Sequence, residues 1–109
     1  MFKIYIERTI YVAIMGTTNE LNQRLLRCKA STDANKLAGS IHSIYQEDPN
    51  IPIIVRVIGA GALNQAVKAI IISNKFFAKR GIVVDLRPSF QDASESITAI
   101  ELKVLFNKV

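Results

Sequence analysis

Apolar residues follow two different spacings between residues 25 and 106, and the change from one to the other predicts strands separated by helices. Residues 25–30, 53–58 and 82–87 are short runs rich in β-branched or other apolar side chains, which are typical of buried strands. Residues 97–106 alternate apolar and polar side chains, as a strand with one buried face does. The pattern predicts four strands, with residues 88–96 as the loop before the last.

The first helix is predicted between the first two strands. Ser31, Thr32 and Asp33 precede it, and the side chain of any of the three could accept hydrogen bonds from the first amides of a helix. Pro49 and Pro52 bracket the turn that follows it. Between these signals, apolar residues recur at helical spacing: Ala34, Leu37, Ala38, Ile41, Ile44 and Tyr45.

A second helix is predicted over residues 62–79, after the tight turn Gly59-Ala60-Gly61 and before Gly81 as its C-terminal cap. At 100° per residue its two sides differ in character. The apolar side carries Leu63, Ala66, Ile70 and Phe77. The opposite side carries Asn64, Lys68, Lys75 and Lys79. The exposed side of this helix is therefore expected to be basic.

The element order βαβαββ predicts an α/β two-layer sandwich, in which two helices cover one face of a four-stranded mixed sheet. Two helices cover one face of such a sheet better than they cover both, so the second face should stay open. From the alternation, that open face should carry more cations than carboxylates. Its expected charged residues are Arg27, Lys29, Arg56, Arg87, Lys103, Asp85 and Glu101.

Residues 1–24 are treated as an N-terminal extension, and residues 25–109 as the domain. Phe2, Ile4 and Ile6 alternate like a strand, and residues 10–14 form a second strand-like run. Two interpretations remain open. The extension forms an added hairpin at a sheet edge, or Met15 is the working start of translation.

Composition places the chain among basic globular proteins. It has 109 residues, half of them hydrophobic, a formal net charge of +5 and a pI near 9.6. Such a charge favours polyanionic partners. With one cysteine no intramolecular disulfide forms, and no apolar run approaches the roughly 20 residues that a membrane span needs. We expect a cytoplasmic protein without a membrane partner.

No catalytic or metal-binding constellation is visible in the sequence. His42 is the single histidine and falls within the first helix, whereas a zinc site needs about four ligands. Cys28 lies on an apolar strand and is interpreted as a core residue. The serines have no second histidine to activate them. We expect a protein that is not an enzyme and that uses no metal or cofactor.

The twelve residues 58–69, IGAGALNQAVKA, resemble the signature of the stage V sporulation protein S family. The match is a consecutive block in a strand-turn-helix context, which makes it specific. Asn35, Leu37, Ala38 and Gly39 support it, as do residues 100–104, so the resemblance covers roughly residues 25–106.

That family resembles the Alba superfamily, which implies several properties for this chain. Alba-like domains share the βαβαββ fold with the C-terminal domain of bacterial translation initiation factor three, form dimers, and bind DNA or RNA. In Alba proteins the turn into the second helix is basic and contacts nucleic acid, whereas here it is Gly59-Ala60-Gly61. Backbone amides, amide side chains and lysines elsewhere would have to replace that basic turn.

The leading hypothesis is a homodimeric regulatory protein that binds DNA or RNA mainly through backbone phosphates. The expected contacts are Lys29, Arg56, Gly59, Ala60, Gly61, Asn64, Gln65, Lys68 and Arg87. Ile71 and Ile72, which are apolar residues between the lysines of the second helix, are expected at the dimer interface. Two alternatives are a regulatory scaffold that binds a protein instead of nucleic acid, and a binder of a small phosphate ligand at the glycine turn.

Overall fold

A computed structural model describes residues 16–18, 22–91 and 99–109 of the chain. The helices and strands of these residues, in chain order, are β1 (Thr17–Thr18), β2 (Arg24–Cys28), α1 (Ala34–Glu47), β3 (Ile53–Val57), α2 (Ala60–Phe77), β4 (Ile82–Phe90) and β5 (Ile100–Lys108). A one-turn 3-10 helix, Ala78–Arg80, lies between α2 and β4.

The strands form one mixed sheet in the order β1-β2-β3-β5-β4. β2 and β3 run parallel, and the other neighbouring pairs are antiparallel. The core lies between one face of the sheet and the two helices, as the predicted sandwich requires. The fold is therefore Alba-like, and the predicted order βαβαββ is confirmed. The two-residue strand β1 is added at the β2 edge.

Helix α1 begins after Asp33, one of the three predicted caps. The Asp33 Oδ1 atom accepts hydrogen bonds from the backbone N–H of Asn35 at 2.8 Å and of Lys36 at 3.3 Å. These bonds satisfy two amides that have no partner within the helix. All six apolar residues predicted for its inner face are buried.

Helix α2 begins two residues earlier than predicted and packs against the sheet with small side chains. Its buried residues are Ala62, Ala66, Ala69, Ile70, Ser73 and Phe77. Leu63, which was predicted on the buried side, is only partly buried against the core. Gly81 follows the 3-10 helix with φ 67°, which confirms the predicted glycine cap.

The predicted loop at residues 88–96 is wrong at its start, because β4 continues through Pro88 to Phe90. Proline is tolerated in an edge strand where its missing N–H would point away from the sheet. Pro88 is paired with Leu102 of β5 at such a position. Gln91 lies outside the strand, and the rest of the predicted loop, residues 92–96, lies outside the described residues.

The N-terminal extension is described only in part. Thr17 and Thr18 pair with Leu25 and Arg24 as an antiparallel edge. The strand-like runs at residues 2–6 and 10–14 lie outside the described residues, and so does the choice between a hairpin and a start at Met15. Among the helices that the structure does describe, none combines the length and the apolar character that a bilayer crossing requires.

Candidate nucleic-acid interface

The turn between β3 and α2 depends on two glycines with different roles. Gly59 has φ 95° and ψ 156°, a conformation that residues with a Cβ atom adopt only with strain. Gly61 allows close packing, because a Cβ atom there would lie 2.9 Å from the Ala30 Cβ. The start of α2 consequently lies directly against the turn that joins β2 to α1.

Two hydrogen bonds hold these two turns together. The Gln65 side chain donates from Nε2 to the Thr32 carbonyl oxygen at 2.7 Å. The Cys28 thiol donates to the Ala62 carbonyl oxygen at 3.4 Å. Gln65 therefore positions the α2 N-terminus as well as lying close to it, a role that the sequence did not indicate.

Burial raises the pKa of the Cys28 thiol above its ordinary value, while a hydrogen bond with the Thr32 side chain opposes that rise. Cys28 lies on the core side of β2. It is an uncharged packing residue, as the sequence predicted.

Lys29 leaves the sheet and joins the turn, since β2 ends at Cys28. Its predicted place on the open sheet face is therefore wrong. Its backbone N–H donates to Thr32 Oγ1 at 2.8 Å, and its side chain is exposed. Seven of the predicted contact residues thus lie in the β2–α1 turn, in the β3–α2 turn or in the first half of α2, and we call them the turn surface: Lys29, Gly59, Ala60, Gly61, Asn64, Gln65 and Lys68. All except the half-buried Gln65 are exposed.

The second group of predicted cations lies on the sheet face that the helices leave uncovered, which we call the open sheet face. Arg27, Arg56 and Glu101 are neighbours in one cross-strand row. Arg56 donates to Glu101 Oε2 from Nη2 at 2.9 Å and from Nε at 3.2 Å. Because both side chains are about three-quarters buried, the charge of Arg56 is largely neutralised.

Two cations face each other directly in another row of the open sheet face. Arg87 of β4 is paired with Lys103 of β5, and like charges opposite one another destabilise a sheet unless an anion lies between them. Asp85 is on the same face, but its Oδ2 accepts a hydrogen bond from Asn107 at 3.0 Å. Ile54, the neighbour of Lys103 on β3, is buried, so part of this face is apolar.

The nine predicted contacts therefore do not form one cluster. Seven belong to the turn surface, which extends to Lys68 midway along α2, whereas Arg56 and Arg87 lie on the open sheet face. The sequence predicted this division except for Lys29, because the residue at which β2 ends decides whether Lys29 belongs to the sheet or to the turn.

Each Asp and Glu side chain within residues 16–18, 22–91 and 99–109 has a partner in the chain. Glu47 and Glu101 form ion pairs with Arg24 and Arg56. Asp33 and Asp48 accept from backbone amides, and Asp85 accepts from Asn107. The exposed basic residues in those ranges that lack an ion pair include Arg27, Lys29, Lys68, Lys75, Lys79 and Arg87.

A family model described as stage V sporulation protein S matches residues 24–107 of the chain. The match spans the sheet from β2 to β5, both helices and the turn surface. The chain belongs to the stage V sporulation protein S family. The match confirms the family resemblance of residues 58–69, and membership of this family supports a regulatory role in sporulation.

In this family member, the outer side of α2 combines lysines with exposed apolar residues. Ile71 is 59% exposed, as expected for an interface residue, but Ile72 is partly buried against the core. Val67, one turn before Ile71, is 43% exposed. The sequence interpretation missed Val67, although its spacing of four residues from Ile71 places the two on one face.

His42 has a packing role in this structure. Its ring centroid lies 5.6 Å from that of Phe76 and 5.4 Å from that of Phe77, which joins α1 to the end of α2. Within the part of the chain that the structure describes, no three His, Cys, Asp or Glu side chains are grouped so that they could hold a metal ion.

Proposed function

We propose that this member of the stage V sporulation protein S family binds DNA or RNA electrostatically, as a homodimer in the cytoplasm. The observation that carries the proposal is the set of exposed cations without ion pairs, on both the turn surface and the open sheet face. Lys and Arg side chains that neutralise backbone phosphates release condensed counterions from the nucleic acid, and this release supplies sequence-independent affinity.

The turn surface supplies the first contact of the proposal. Helix α2 has no acidic residue in its first turn and no side chain that caps it, so its first amides and its positive dipole end face outward with Gly59, Ala60 and Gly61. Lys29 in the β2–α1 turn and Lys68, midway along α2, add two exposed cations. Asn64, also exposed, offers a side-chain amide to a phosphate or a sugar.

The open sheet face supplies the second contact. A phosphate between Arg87 and Lys103 would relieve their repulsion, whereas Arg56 contributes mainly by fixing Glu101. No dense set of aromatic side chains accompanies these cations on the described surface, although Phe90 is 75% exposed at the end of β4. Binding is therefore expected to follow phosphates rather than base sequence.

The homodimer of the proposal uses the outer side of α2. Val67 and Ile71 form an apolar surface on one face of the helix, and a twofold interface places the same surface on both copies. Ile72 contributes less, because it already packs against its own core. Dimerisation would double the number of cations that one nucleic acid meets.

Charge reversal tests the two contact surfaces separately. Lys68→Glu on the turn surface and Arg87→Glu on the open sheet face should each weaken retention of a DNA or RNA duplex by at least about tenfold at low salt. Lys108→Glu is the matched control, since it makes the same charge change at the far end of β5. Retention that is equal for all three variants and the unmodified chain would remove both surfaces from the site.

A salt series separates nucleic-acid binding from the alternatives. If a dimer neutralises about six phosphates, the logarithm of the affinity should fall with the logarithm of salt concentration at a slope of roughly −5. Fluorescence anisotropy with DNA, RNA and a mononucleotide measures this slope. Selective mononucleotide binding would support the small phosphate ligand, and no binding to any of the three would support the protein-binding scaffold.

A further inference from the structure

Strand β4 lies at the edge of the sheet, and its peptide groups alternate between two directions. Gln91 N–H donates to the Ala99 carbonyl and Val109 N–H donates to the Gly81 carbonyl, both at 2.8 Å. In the register of β4 with β5, the odd-numbered residues of β4 therefore bond to β5. The even-numbered residues direct their N–H and C=O groups away from the sheet, where another strand could pair with them.

The outward groups of Val84 are occupied by one side chain. Val84 N–H donates to Asn74 Oδ1 at 2.8 Å, and Asn74 Nδ2 donates to the Val84 carbonyl oxygen at 3.0 Å. Nδ2 also donates to the Ile70 carbonyl oxygen at 3.2 Å, which fixes the carboxamide on α2. The Asn74 side chain thus presents a donor and an acceptor to β4 as the backbone of a neighbouring strand would.

The next outward positions along β4 are Leu86 and Pro88. Pro88 has no N–H, so between Val84 and Pro88 only Leu86 keeps both outward peptide groups. An added strand pairs with successive outward residues, and here the residue on each side of Leu86 lacks a full pair of groups. Val83 and Phe90 are exposed at 41% and 75%, so an unprotected β4 would be an apolar edge of the kind that aggregates.

We propose that the Asn74 carboxamide, together with Pro88, seals the β4 edge against strand addition by β4 of a second copy. Association between copies is then confined to other surfaces. The proposal is independent of nucleic-acid binding, because Asn74 belongs neither to the turn surface nor to the open sheet face.

Amide hydrogen exchange tests the bond on which the proposal depends. In the unmodified protein, Val84 should exchange more slowly than Leu86 although both N–H groups point outward. In Asn74→Ala, exchange at Val84 should accelerate by at least about tenfold, the factor that corresponds to the loss of roughly 1.4 kcal/mol of protection. Val83 and Asp85, which bond to β5, should keep their rates. Unchanged exchange at Val84 would overturn the proposal.

Sedimentation velocity tests the consequence. Asn74→Ala should form species larger than those of the unmodified protein as concentration rises, and adding Val83→Lys should reverse this, because a charge on an edge strand discourages pairing. Ile44→Val, which removes one buried methylene group from the core, is the control for lost stability. Equal self-association by the Ile44→Val protein, or none by Asn74→Ala, would contradict the proposed seal.

Asn74→Asp keeps the measurement informative if Asn74→Ala does not fold. A carboxylate still accepts from Val84 N–H but donates nothing to the Val84 and Ile70 carbonyl oxygens. Exchange at Val84 should therefore stay slow, and self-association should rise less than it does in Asn74→Ala. Rapid exchange at Val84 in a folded Asn74→Asp protein would contradict the assigned geometry.

Discussion

At the scale of single residues, the partners of each side chain decide what its charge can do. Arg56 looks like a cation available for phosphate when it is considered alone, yet Glu101, 45 positions later in the chain, lies opposite it and neutralises it. Gln65 looks like a contact residue, but its amide holds the Thr32 carbonyl. Lys68 and Arg87 keep their charges without an ion pair, so they are the better probes of binding.

Cys28 gives a prediction about pH. Because burial raises its folded-state pKa above the ordinary value of 9.0, the native state keeps the thiol proton more strongly than the unfolded chain does. This stabilisation is fully present below the unfolded-state pKa and is lost as pH rises through the higher folded-state pKa. The free energy of unfolding, measured from pH 7 to pH 10.5, should fall more steeply above pH 9 than in Cys28→Ala. Parallel curves for the two proteins would contradict this.

At the scale of elements, α2 links the core to the turn surface, to the β4 edge and to the proposed dimer surface, whereas the open sheet face lies on the other side of the sheet. Its small buried residues bring it close to the sheet, its N-terminus forms the turn surface, Asn74 reaches β4, and Ile71 faces outward. The order of these features along the helix follows from 3.6-residue periodicity. A change in how α2 begins should therefore affect the position of all of them.

The start of α2 gives a prediction about stability. Gly59→Ala should lower the free energy of unfolding by about 1–3 kcal/mol, because alanine is strained at φ 95° and ψ 156° although nothing lies within 4 Å of its Cβ. Gly39→Ala is the matched control inside α1, also with no atom within 4 Å of the added Cβ. It should raise the free energy of unfolding by about 0.5–1 kcal/mol. Urea denaturation measures both, and a neutral Gly59→Ala would show that the turn tolerates a Cβ.

At the scale of the whole molecule, the cations lie on two sides rather than in one cluster. The turn surface lies in the two turns that precede the helices and along the first half of α2, whereas Arg87 and Lys103 lie on the sheet face that the helices leave uncovered. Because the two surfaces face different directions, we expect one straight duplex to contact only one of them on a single copy. A second copy, by repeating each surface, provides a way for one nucleic acid to meet several cations at once.

The proposed dimer gives a prediction that couples assembly to affinity. Ile71→Glu should shift the protein towards monomer in sedimentation velocity, because it places a charge at the centre of the apolar surface of α2. The affinity of Ile71→Glu for a long duplex should fall as the dimer is lost. Ser43→Glu, at an exposed position of α1, is the control for the added charge. If both variants remain as associated as the unmodified protein, the dimer does not use this side of α2.

The sequence alone determined the order of the elements, which side of each helix is apolar, and the family. These follow from local causes: residue periodicity, the capping residue Asp33, the cap at Gly81 and the consecutive block at residues 58–69. The ends of the strands were predicted less accurately than their order. Strand β4 continues through Pro88, because the N–H that proline lacks would point away from the sheet, so no hydrogen bond to β5 is lost.

Only the tertiary structure decided which residues act together. Three contacts join residues that are far apart in sequence or belong to different elements. They are the ion pair of Arg56 with Glu101, the cross-strand pair of Arg87 and Lys103, and the hydrogen bonds between Asn74 and Val84. Strand register and the packing of α2 against the edge fix these contacts, and neither leaves a local signal in the chain. Residue chemistry was therefore visible in the sequence, whereas the partners that modify it were set by the fold.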